Sequence, residues 1–466
     1  MLSVGVGLGS STALALPSGP TAFCGVYPDA PACSASVPAC TFCHAGGPPT
    51  RNAYGAQLEA QLVPGTARPL TDAQFQMGLA AALAAIEGED ADMDGVSNRA
   101  EIDAGTHPAD ASDLPDQGEC DRTGYNDQFD VCDYDPSYVF KKVSLDFCGV
   151  SPTWEELKTF ESESDPRAAI RARLDTCLDS EHWIGKDGQL WKIAHPKVRP
   201  LQAIKAGDNG GPVPLADYDH DYALFVWTQI DGHDARDVLL ADYFVDRRDN
   251  PTRYSQTPDQ GSSRLDEQNV RRDKRAGMLT TRWNLVFNTM FTALPRLTAA
   301  QAFRSYLGLD IAKLEGLQPV PGEPVDYDDK GVTAPACAQC HSTLDPLSYP
   351  FRNYQGLTGS IGSYDSTRIE DDFRDVSPNI TMMPESGVIF GQSVADLRGW
   401  ADVAANSDAF AAATVMDYWL LLFGEAPRAE ELDTFETLWR DFKGTNAYSV
   451  EAMLRQLVET EAYGVP

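Results

Sequence analysis

Hydrophobic side chains recur at helical spacing along most of this chain. One example is YALFVWTQIDGHDARDVLLADYF, which begins at Tyr222 and returns an apolar side chain to one face every three or four positions. Helix-start signals accompany such runs, as where Ser151 precedes Pro152. A second start signal combines Ser393 with Asp396. Alternation typical of β-strands is sparse and short. We therefore predict a mainly α protein, in which helical modules are joined by long irregular loops.

Changes in composition divide the chain into three predicted domains. The first covers residues 20–115 and ends at a linker rich in Gly, Asp and Asn, LPDQGECDRTGYNDQFDVCDYD. The second covers residues 135–318 and is rich in aromatic residues. A linker rich in Pro, Gly and Asp, QPVPGEPVDYDDKGVTAPA, opens the third, residues 319–466.

The chain also contains an internal similarity. GVSPTWEELKTFE, from Gly149, and GEAPRAEELDTFE, from Gly424, agree at eight of thirteen positions in one register. Each is followed by an acidic segment that ends in an aromatic residue, LDSEHW in the first case and VETEAY in the second. Helix starts resemble one another in general, but this number of matches favours duplication of a helical unit.

Charge excludes several classes of function. The chain has 37 Lys and Arg against 69 Asp and Glu, a formal net charge of -32. Such a chain repels nucleic acid and anionic lipid surfaces, so neither is a predicted partner. The acidity suits solubility outside the cell, and docking to a basic partner protein is the alternative.

The start of the chain is typical of an exported protein. Residues 1–16 are apolar, are too short to span a bilayer and contain Ala13-Leu14-Ala15, a small-residue cleavage pattern. No Lys or Arg precedes Arg51, so an alternative is that the true start lies upstream of Met1. We predict a periplasmic, extracellular or cell-surface protein of a bacterium, with no transmembrane segment.

Cysteine usage agrees with export. Of ten cysteines, four belong to two C-x-x-C pairs and six remain, an even number that suits an oxidising compartment. Their short separations favour three disulfides: Cys24 with Cys33, Cys120 with Cys132 and Cys148 with Cys177.

Two segments carry the pattern C-x-x-C-H, CTFCH at residues 40–44 and CAQCH at residues 337–341. This spacing is the attachment signal of c-type haem, because two thiols bond to the vinyl groups on one porphyrin edge while the adjacent imidazole binds the iron. A lone copy could be half of a zinc site or a redox disulfide, but two copies without further Cys/His pairs at zinc spacing favour haem. The predicted haem c residues are Cys40, Cys43 and His44 at the first site and Cys337, Cys340 and His341 at the second.

The loop DADMDGVSNRAE, residues 90–101, fits the calcium pattern D-x-D-x-D-G-x5-E. Hard oxygen ligands at alternate positions surround a cation, and Gly95 permits the sharp turn. The predicted calcium ligands are Asp90, Asp92, Asp94, the Val96 carbonyl, Asn98 and Glu101. The next residues, GTHPAD, resemble the GTDP segment of thrombospondin type 3-like repeats, which implies a structural, extracellular calcium site.

The first C-x-x-C-H has a second interpretation. It is followed by Asn52-Ala53-Tyr54-Gly55 and then by the acidic loop. This order resembles temptin-like secreted modules as well as dihaem cytochromes. The temptin-like resemblance implies that Cys40 and Cys43 form disulfides, whereas we favour haem.

A low-spin haem iron needs a sixth ligand, usually Met or His. For the second haem we predict Met383, which lies in a Met-Pro context in TMMPES, with Met290 as the alternative. For the first haem, Met77 and His107 both remain open. A single Met more often fills a core than binds iron.

Three further segments have a recognisable pattern: YVFKKVSLDFCGVSPTWEELKTF, YALFVWTQIDGHDARDVLLADY and, most specifically, CAQCHSTLDPLSYPFRNYQGLTG. Through them, residues 135–466 resemble the large secreted cytochrome c-type proteins of planctomycetes and myxobacteria. Residues 277–335 depart from the family, and the family has no consistent Met at the position of Met383. The resemblance implies exported electron transfer by c-type haem and brings no substrate.

We therefore predict an exported dihaem c-type cytochrome that transfers single electrons to or from a redox partner protein. One alternative is a dihaem redox enzyme, such as a peroxidase, in which one iron keeps an open position. Another is a surface binding protein that holds a single haem.

Overall fold

The computed structural model describes residues 18–34, 37–46, 50–68, 70–113, 134–257 and 269–465. It divides into two compact units, which we describe one at a time. The N-terminal unit comprises residues 1–133 and 427–432, and the C-terminal unit the remainder. The predicted signal segment, residues 1–16, and the predicted disulfide between Cys120 and Cys132 lie outside the described residues.

Four helices form the described part of the N-terminal unit. They are α1 (Gly19–Val26), α2 (Ala53–Gln61), α3 (Asp72–Ile86) and α4 (Asn98–Ala104). The core consists of apolar side chains from all four helices, including Phe23, Tyr54, Leu83 and Ile102. The connections between these helices carry the first C-x-x-C-H and the acidic loop.

Helices also dominate the C-terminal unit. They are α5 (Pro136–Cys148), α6 (Trp154–Glu161), α7 (Pro166–Leu178), α8 (Glu181–Ile184), α9 (Gln189–Val198), α10 (Asp219–Gln229), α11 (Asp237–Leu240), α12 (Arg282–Asn284), α13 (Arg296–Leu307), α14 (Pro335–Ser348), α15 (Arg368–Asp372), α16 (Leu397–Ala405), α17 (Asp408–Phe423), α18 (Leu432–Lys443), α19 (Val450–Leu457) and α20 (Glu461–Gly464). A π-helical turn, Leu285–Thr289, follows α12. The mainly α prediction is confirmed.

The described strands form two small antiparallel pairs in the C-terminal unit. Strands β1 (Phe244–Arg248) and β2 (Arg253–Thr257) pair with Phe244 opposite Thr257. Strands β3 (Gly387–Ile389) and β4 (Gln392–Val394) pair with Gly387 opposite Val394. Both pairs are too small to organise a fold, so the helices supply the core.

One large hydrophobic core spans the C-terminal unit. Residues 135–318 and 319–466, which the sequence predicts as separate domains, both contribute to it, with Trp183 and Trp283 from the first and Trp400 and Trp419 from the second. The linker after residue 318 therefore runs within one compact unit. A smaller cluster lies apart and contains Ala293, Leu294, Tyr349, Ile369, Phe373, Ile380 and Met383.

Both predicted helix starts are displaced in the structure. Thr153, not Ser151, is the N-cap of α6. Asp396 alone caps α16, through a 3.0 Å hydrogen bond from the Gly399 amide, because Ser393 lies in β4. A cap is assigned to the side chain that reaches an unpaired amide of the first turn, and several nearby polar residues satisfy the sequence rule equally well.

The two similar segments have the same order of elements. In each, a long helix ends at a left-handed glycine, Gly149 after α5 (φ 71°) and Gly424 after α17 (φ 78°). Each next helical segment begins with a capping glutamate at the same register, Glu156 or Glu431. A further helix follows, α7 or α19, and then a one-turn helix, α8 or α20. This shared order supports the predicted duplication.

The one-turn helices exchange contacts between the two copies. Trp183 of α8 packs against Phe147 of its own copy and Tyr418 of the other, at ring-centroid distances of 4.7 and 6.3 Å. Its counterpart Tyr463 of α20 packs against Phe423 of its own copy, at 6.1 Å. The Tyr463 hydroxyl also donates to Asp146 of the other copy at 2.8 Å. Each copy thus completes the packing of the other.

Two of the predicted disulfides are present. Cys24 bonds to Cys33 within the N-terminal unit, and Cys148 bonds to Cys177 within the C-terminal unit. Among the helices of the described residues, none has the length and the apolar surface needed to cross a bilayer.

Candidate haem and calcium sites

The second C-x-x-C-H lies on the first turns of α14. Pro335 occupies the first helical position, where its missing amide hydrogen has no consequence. Cys337, Cys340 and His341 then stand at positions i, i+3 and i+4, which share one face of a helix. Cys337 is exposed, and both Cys340 and His341 are partly exposed. Helical geometry thus presents both thiols and the imidazole together.

A hydrogen bond to Asp345 orients the His341 ring. Nδ1 lies 2.8 Å from the Oδ1 atom of Asp345, one turn further along the helix. Asp345 is completely buried and His341 is 24% exposed. A carboxylate only accepts hydrogen bonds, so Nδ1 carries the proton and the lone pair of Nε2 is available to a metal. Among the described residues, Nε2 has no hydrogen-bond partner.

Met383 is buried, at 1% exposure, in the small cluster that contains Tyr349. Tyr349 lies on the 3₁₀ turn that directly continues α14. The predicted alternative, Met290, is 45% exposed and adopts φ 48° and ψ -116°, a conformation that glycine normally occupies. The structure thus separates a core methionine from a surface methionine on unusual backbone.

The first C-x-x-C-H lies on a single 3₁₀ turn, Cys40–Phe42, and continues into a short antiparallel bridge between His44 and Arg51. Cys40 is exposed, and burial raises the pKa of the Cys43 thiol to about 11. The His44 Nδ1 atom lies 3.1 Å from the Thr50 carbonyl oxygen. Because a carbonyl only accepts, Nδ1 carries the proton here as well, and Nε2 is available.

The Asn-x-x-Gly segment holds this motif in place. Asn52 caps α2 by accepting from the Gly55 amide at 2.8 Å, and its own amide group donates to the carbonyls of Thr41 and Phe42 at 3.0 and 3.1 Å. Gly55 packs so closely that an added Cβ would lie 2.0 Å from the Cys43 carbonyl oxygen. Asn and Gly at this spacing are therefore required by contact with the motif itself.

The two open candidates for a sixth ligand of the first haem are placed differently. Met77 is 79% exposed. His107 uses both ring nitrogens: Nδ1 accepts from the Ala109 amide at 3.2 Å, and Nε2 lies 3.3 Å from the Thr41 carbonyl oxygen. The His107 ring also packs on Phe42 at a centroid distance of 5.1 Å. In this arrangement His107 supports the motif and has no free lone pair for iron.

The acidic loop folds around a compact group of carboxylates. One ligand oxygen from each of Asp90, Asp92 and Asp94 lies within 4.8 Å of the others. The Asp90 carboxylate accepts hydrogen bonds from the amides of Met93 and Gly95, at 2.7 and 2.9 Å, and these hydrogen bonds stabilise the turn of the loop. Calcium binds oxygen at about 2.3–2.6 Å, so oxygens at this separation can share one ion.

Glu101, on the first turn of α4, interacts electrostatically with all three aspartates. It is fully buried, and neither of its carboxylate oxygens has a hydrogen-bond partner among the described residues. One carboxylate oxygen of Asp92 and one of Asp94 are also buried and have no hydrogen-bond partner among the described residues. Burial, and then the nearby aspartates, raise the pKa of Glu101 to about 8. Unpaired carboxylates are costly to bury, and a divalent cation would remove that cost.

Asn98, predicted as a ligand, has its side chain committed elsewhere. Its Oδ1 accepts from the Ala91 amide at 3.2 Å, and its Nδ2 donates to the Ile86 carbonyl and to Gln57 at 2.7 and 3.0 Å. Gln57 in turn donates to the Asp90 carbonyl at 3.3 Å. Gln57 lies on α2 two residues after Gly55, so these contacts link the acidic loop to the helix that holds the first C-x-x-C-H.

Comparison with known proteins adds no further assignment. No family model, curated protein or solved structure matches this chain. The site is therefore defined by its own residues. The described cysteines separate clearly into two groups, because Cys24, Cys33, Cys148 and Cys177 form disulfides whereas the four cysteines of the two motifs are free thiols.

The structure adds residues to the candidate sites that the sequence did not single out. Asp345 belongs to the second site, and its spacing of four residues after His341 on a helix was a usable signal. Gln57 links the first site to the acidic loop, and no local pattern marks it.

Proposed function

We propose that this protein is an exported dihaem c-type cytochrome that transfers single electrons. The main support is one arrangement that occurs twice: two free thiols beside an imidazole whose Nδ1 is hydrogen-bonded, so that Nε2 is available to iron. The other cysteines of the described residues form disulfides, which separates the motif cysteines from the structural ones. These residues fit c-type haem at both motifs.

Haem, when bound, would supply the redox chemistry, and the chain would supply attachment and orientation. Cys337 and Cys340 would hold one haem covalently and His341 would bind its iron, with Cys40, Cys43 and His44 doing so at the other. Exposed apolar side chains on segments near the small cluster, such as Met290, Phe291 and Met382, are suited to contact with a porphyrin. Electrons would be exchanged with a redox partner protein.

A peroxidase-like enzyme is the second candidate, and one contact favours it. The His341 imidazole donates to a buried carboxylate, which makes it a stronger ligand and stabilises ferric iron. Spin state separates the candidates, because a carrier has two ligands on each iron whereas an enzyme keeps one position open. A high-spin ferric signal with rapid cyanide binding would favour the enzyme.

We also propose that calcium binds the acidic loop. The proposed ligands are Asp90, Asp92, Asp94, Glu101 and the Val96 carbonyl, and Asn98 remains at the predicted ninth position with its side chain engaged in the contacts described above. The support is the unpartnered, buried carboxylate of Glu101 beside the three aspartates. The role would be structural, because the loop is linked to the first C-x-x-C-H through Gln57.

Intact mass tests the haem proposal. The chain expressed with a cytochrome c maturation system should carry two haem additions. Cys40→Ser with Cys43→Ser should remove one addition, and Cys337→Ser with Cys340→Ser the other. Cys24→Ser with Cys33→Ser is the matched control, since it removes a cysteine pair of the same unit and should leave both haems. A single addition in the unaltered chain would favour the single-haem binding protein, and none would refute the proposal.

A further inference from the structure

His341 lies at the end of a buried network of charged side chains. Its Nδ1 donates to Asp345, and Asp345 also accepts two hydrogen bonds from the Arg296 guanidinium, from Nε to Oδ1 at 2.6 Å and from Nη2 to Oδ2 at 2.8 Å. Arg296 donates equally to Asp328, from Nη1 at 2.6 Å and from Nη2 at 3.0 Å. One guanidinium thus joins two carboxylates, and a single imidazole lies at the end.

This network of charged side chains is shielded from water. Asp345 is fully buried, Asp328 is buried and Arg296 is mostly buried. Burial lowers the pKa of Arg296, but the hydrogen bonds to both aspartates outweigh it and raise that pKa above its usual range. Two carboxylates and one guanidinium leave one net negative charge, and the only other hydrogen-bonded member among the described residues is the His341 ring.

The acceptor of the imidazole proton therefore differs between the two motifs. His44 donates to a neutral backbone carbonyl at 3.1 Å, whereas His341 donates to a carboxylate at 2.8 Å. A carboxylate draws the Nδ1 proton more strongly, which increases the electron density that Nε2 offers to a metal. A richer ligand stabilises the oxidised metal ion relative to the reduced one.

We propose that Asp345 is a positioning residue that tunes the second haem: it fixes the His341 ring and lowers the reduction potential of the iron that His341 binds. Arg296 shares the charge of Asp345 and so limits this effect, and Asp328 holds Arg296 in place. The proposal rests on the proposed haem function, and it states what distinguishes the second iron from the first.

Spectroelectrochemistry of the full chain with both haems attached tests it. Asp345→Asn should raise the midpoint potential of one haem and leave the other unchanged. Asp328→Asn is the control, because it removes the same charge from the same network of charged side chains. Asp328 does not contact His341, so the midpoint potential should shift clearly less in this variant. The chain with Cys40→Ser and Cys43→Ser, which retains only the second haem, identifies the haem that responds.

The outcomes separate this inference from the proposed function. Equal shifts in the two variants, or no shift in Asp345→Asn, would overturn the inference while haem remains bound. A chain without haem at the second motif would overturn both. Nitrogen NMR of His341 in the haem-free, unaltered chain supplies a readout that does not depend on variant folding. We expect the neutral ring to carry its proton on Nδ1, and a proton on Nε2 would overturn the inference.

Discussion

The two C-x-x-C-H motifs share a five-residue pattern but lie on different secondary structure. The second lies on a fourteen-residue helix, α14, and its histidine contacts a carboxylate in the core of the C-terminal unit. The first lies on a single 3₁₀ turn, and its histidine contacts a backbone carbonyl. In the first motif the orienting groups come from neighbouring loops and from Asn52 and Gly55.

The difference shows that the same C-x-x-C-H pattern can be held in place in two ways. The first motif depends on contacts from neighbouring loops, whereas the second depends on its own helix and on the core. A short turn has too few internal hydrogen bonds to keep its own shape, so external contacts set it. We therefore expect the first site to respond to small changes around it and to calcium. The second site should respond mainly to changes in the core and in the network of charged side chains at Asp345.

The largest expected effect comes from the core beside the second motif. Met383→Ala should destabilise the C-terminal unit by about 2–5 kcal/mol, because a fully buried methionine leaves a cavity. Met383→Leu preserves volume and should cost less than about 1.5 kcal/mol. Chemical denaturation measures both values.

The same pair of variants tests Met383 as sixth ligand. We expect the near-infrared charge-transfer band of His/Met ligation to disappear in both, since neither Ala nor Leu offers a thioether. The matched variant Met290→Ala should retain the band. Persistence of the band in Met383→Leu would refute the assignment and direct attention to Met290.

Calcium should distinguish the N-terminal unit from the C-terminal one. At a free concentration of 100 times the dissociation constant, calcium should stabilise the N-terminal unit by about 2.7 kcal/mol. Calorimetry with and without a chelator measures this as a shift of the first unfolding transition, while the transition of the C-terminal unit stays in place.

Glu101→Gln sharpens the calcium prediction. The variant removes a buried, unpartnered carboxyl group whose raised pKa disfavours the calcium-free fold at neutral pH, so the calcium-free N-terminal unit should be at least as stable as the unaltered one. It should also lose the response to calcium. A variant that is destabilised without calcium and still responds to it would contradict the proposed ligand role of Glu101.

Gly55→Ala tests close packing at the first motif. The added Cβ would meet the Cys43 carbonyl oxygen at 2.0 Å, and such overpacking typically costs about 1–3 kcal/mol. We expect lower stability of the N-terminal unit and an altered spectrum of the first haem. Gly88→Ala, where an added Cβ meets nothing within 4 Å, should change neither by more than about 0.5 kcal/mol.

The smallest expected effect separates a cap from a motif contact. Asn52→Ala should cost about 1 kcal/mol as a lost N-cap and should also perturb the first haem, since Asn52 donates to Thr41 and Phe42. Thr71→Ala removes the cap of α3 in the same unit without a contact to the motif. Equal spectra in the two variants would show that Asn52 acts on the helix alone.

Local spacing explains what the sequence could predict. The helical pattern, the motif triads and the acidic loop are all set by residues within a few positions. The disulfides of Cys24 with Cys33 and Cys148 with Cys177 span only 9 and 29 positions, so short separation was enough to pair these cysteines. Helix starts were misplaced by a few residues, at Ser151 and Ser393, because neighbouring polar side chains compete for one cap.

Contacts between distant residues explain what the sequence could not predict. Arg296 reaches Asp345 across 49 positions, and no local pattern indicates that these two residues meet. Likewise the burial of Met383 follows from packing with Leu294 and Ile369, and the role of Gly55 follows from its approach to Cys43. Such pairs depend on how the helices pack, which the pattern of one chain leaves open.

The exchanged contacts of the one-turn helices have a consequence for the ancestry of the C-terminal unit. In a two-fold symmetric dimer each contact occurs twice, and equivalent residues meet each other only on the axis. Asp175 and Arg455 occupy equivalent positions, eight residues before Trp183 and Tyr463, and they form an ion pair at 2.8 Å. This ion pair lies where a two-fold relation between the copies would place it, as expected if the unit arose by duplication. Trp183 and Tyr463 each contact the other copy, so we expect separation of the copies to expose side chains that are buried in the intact unit.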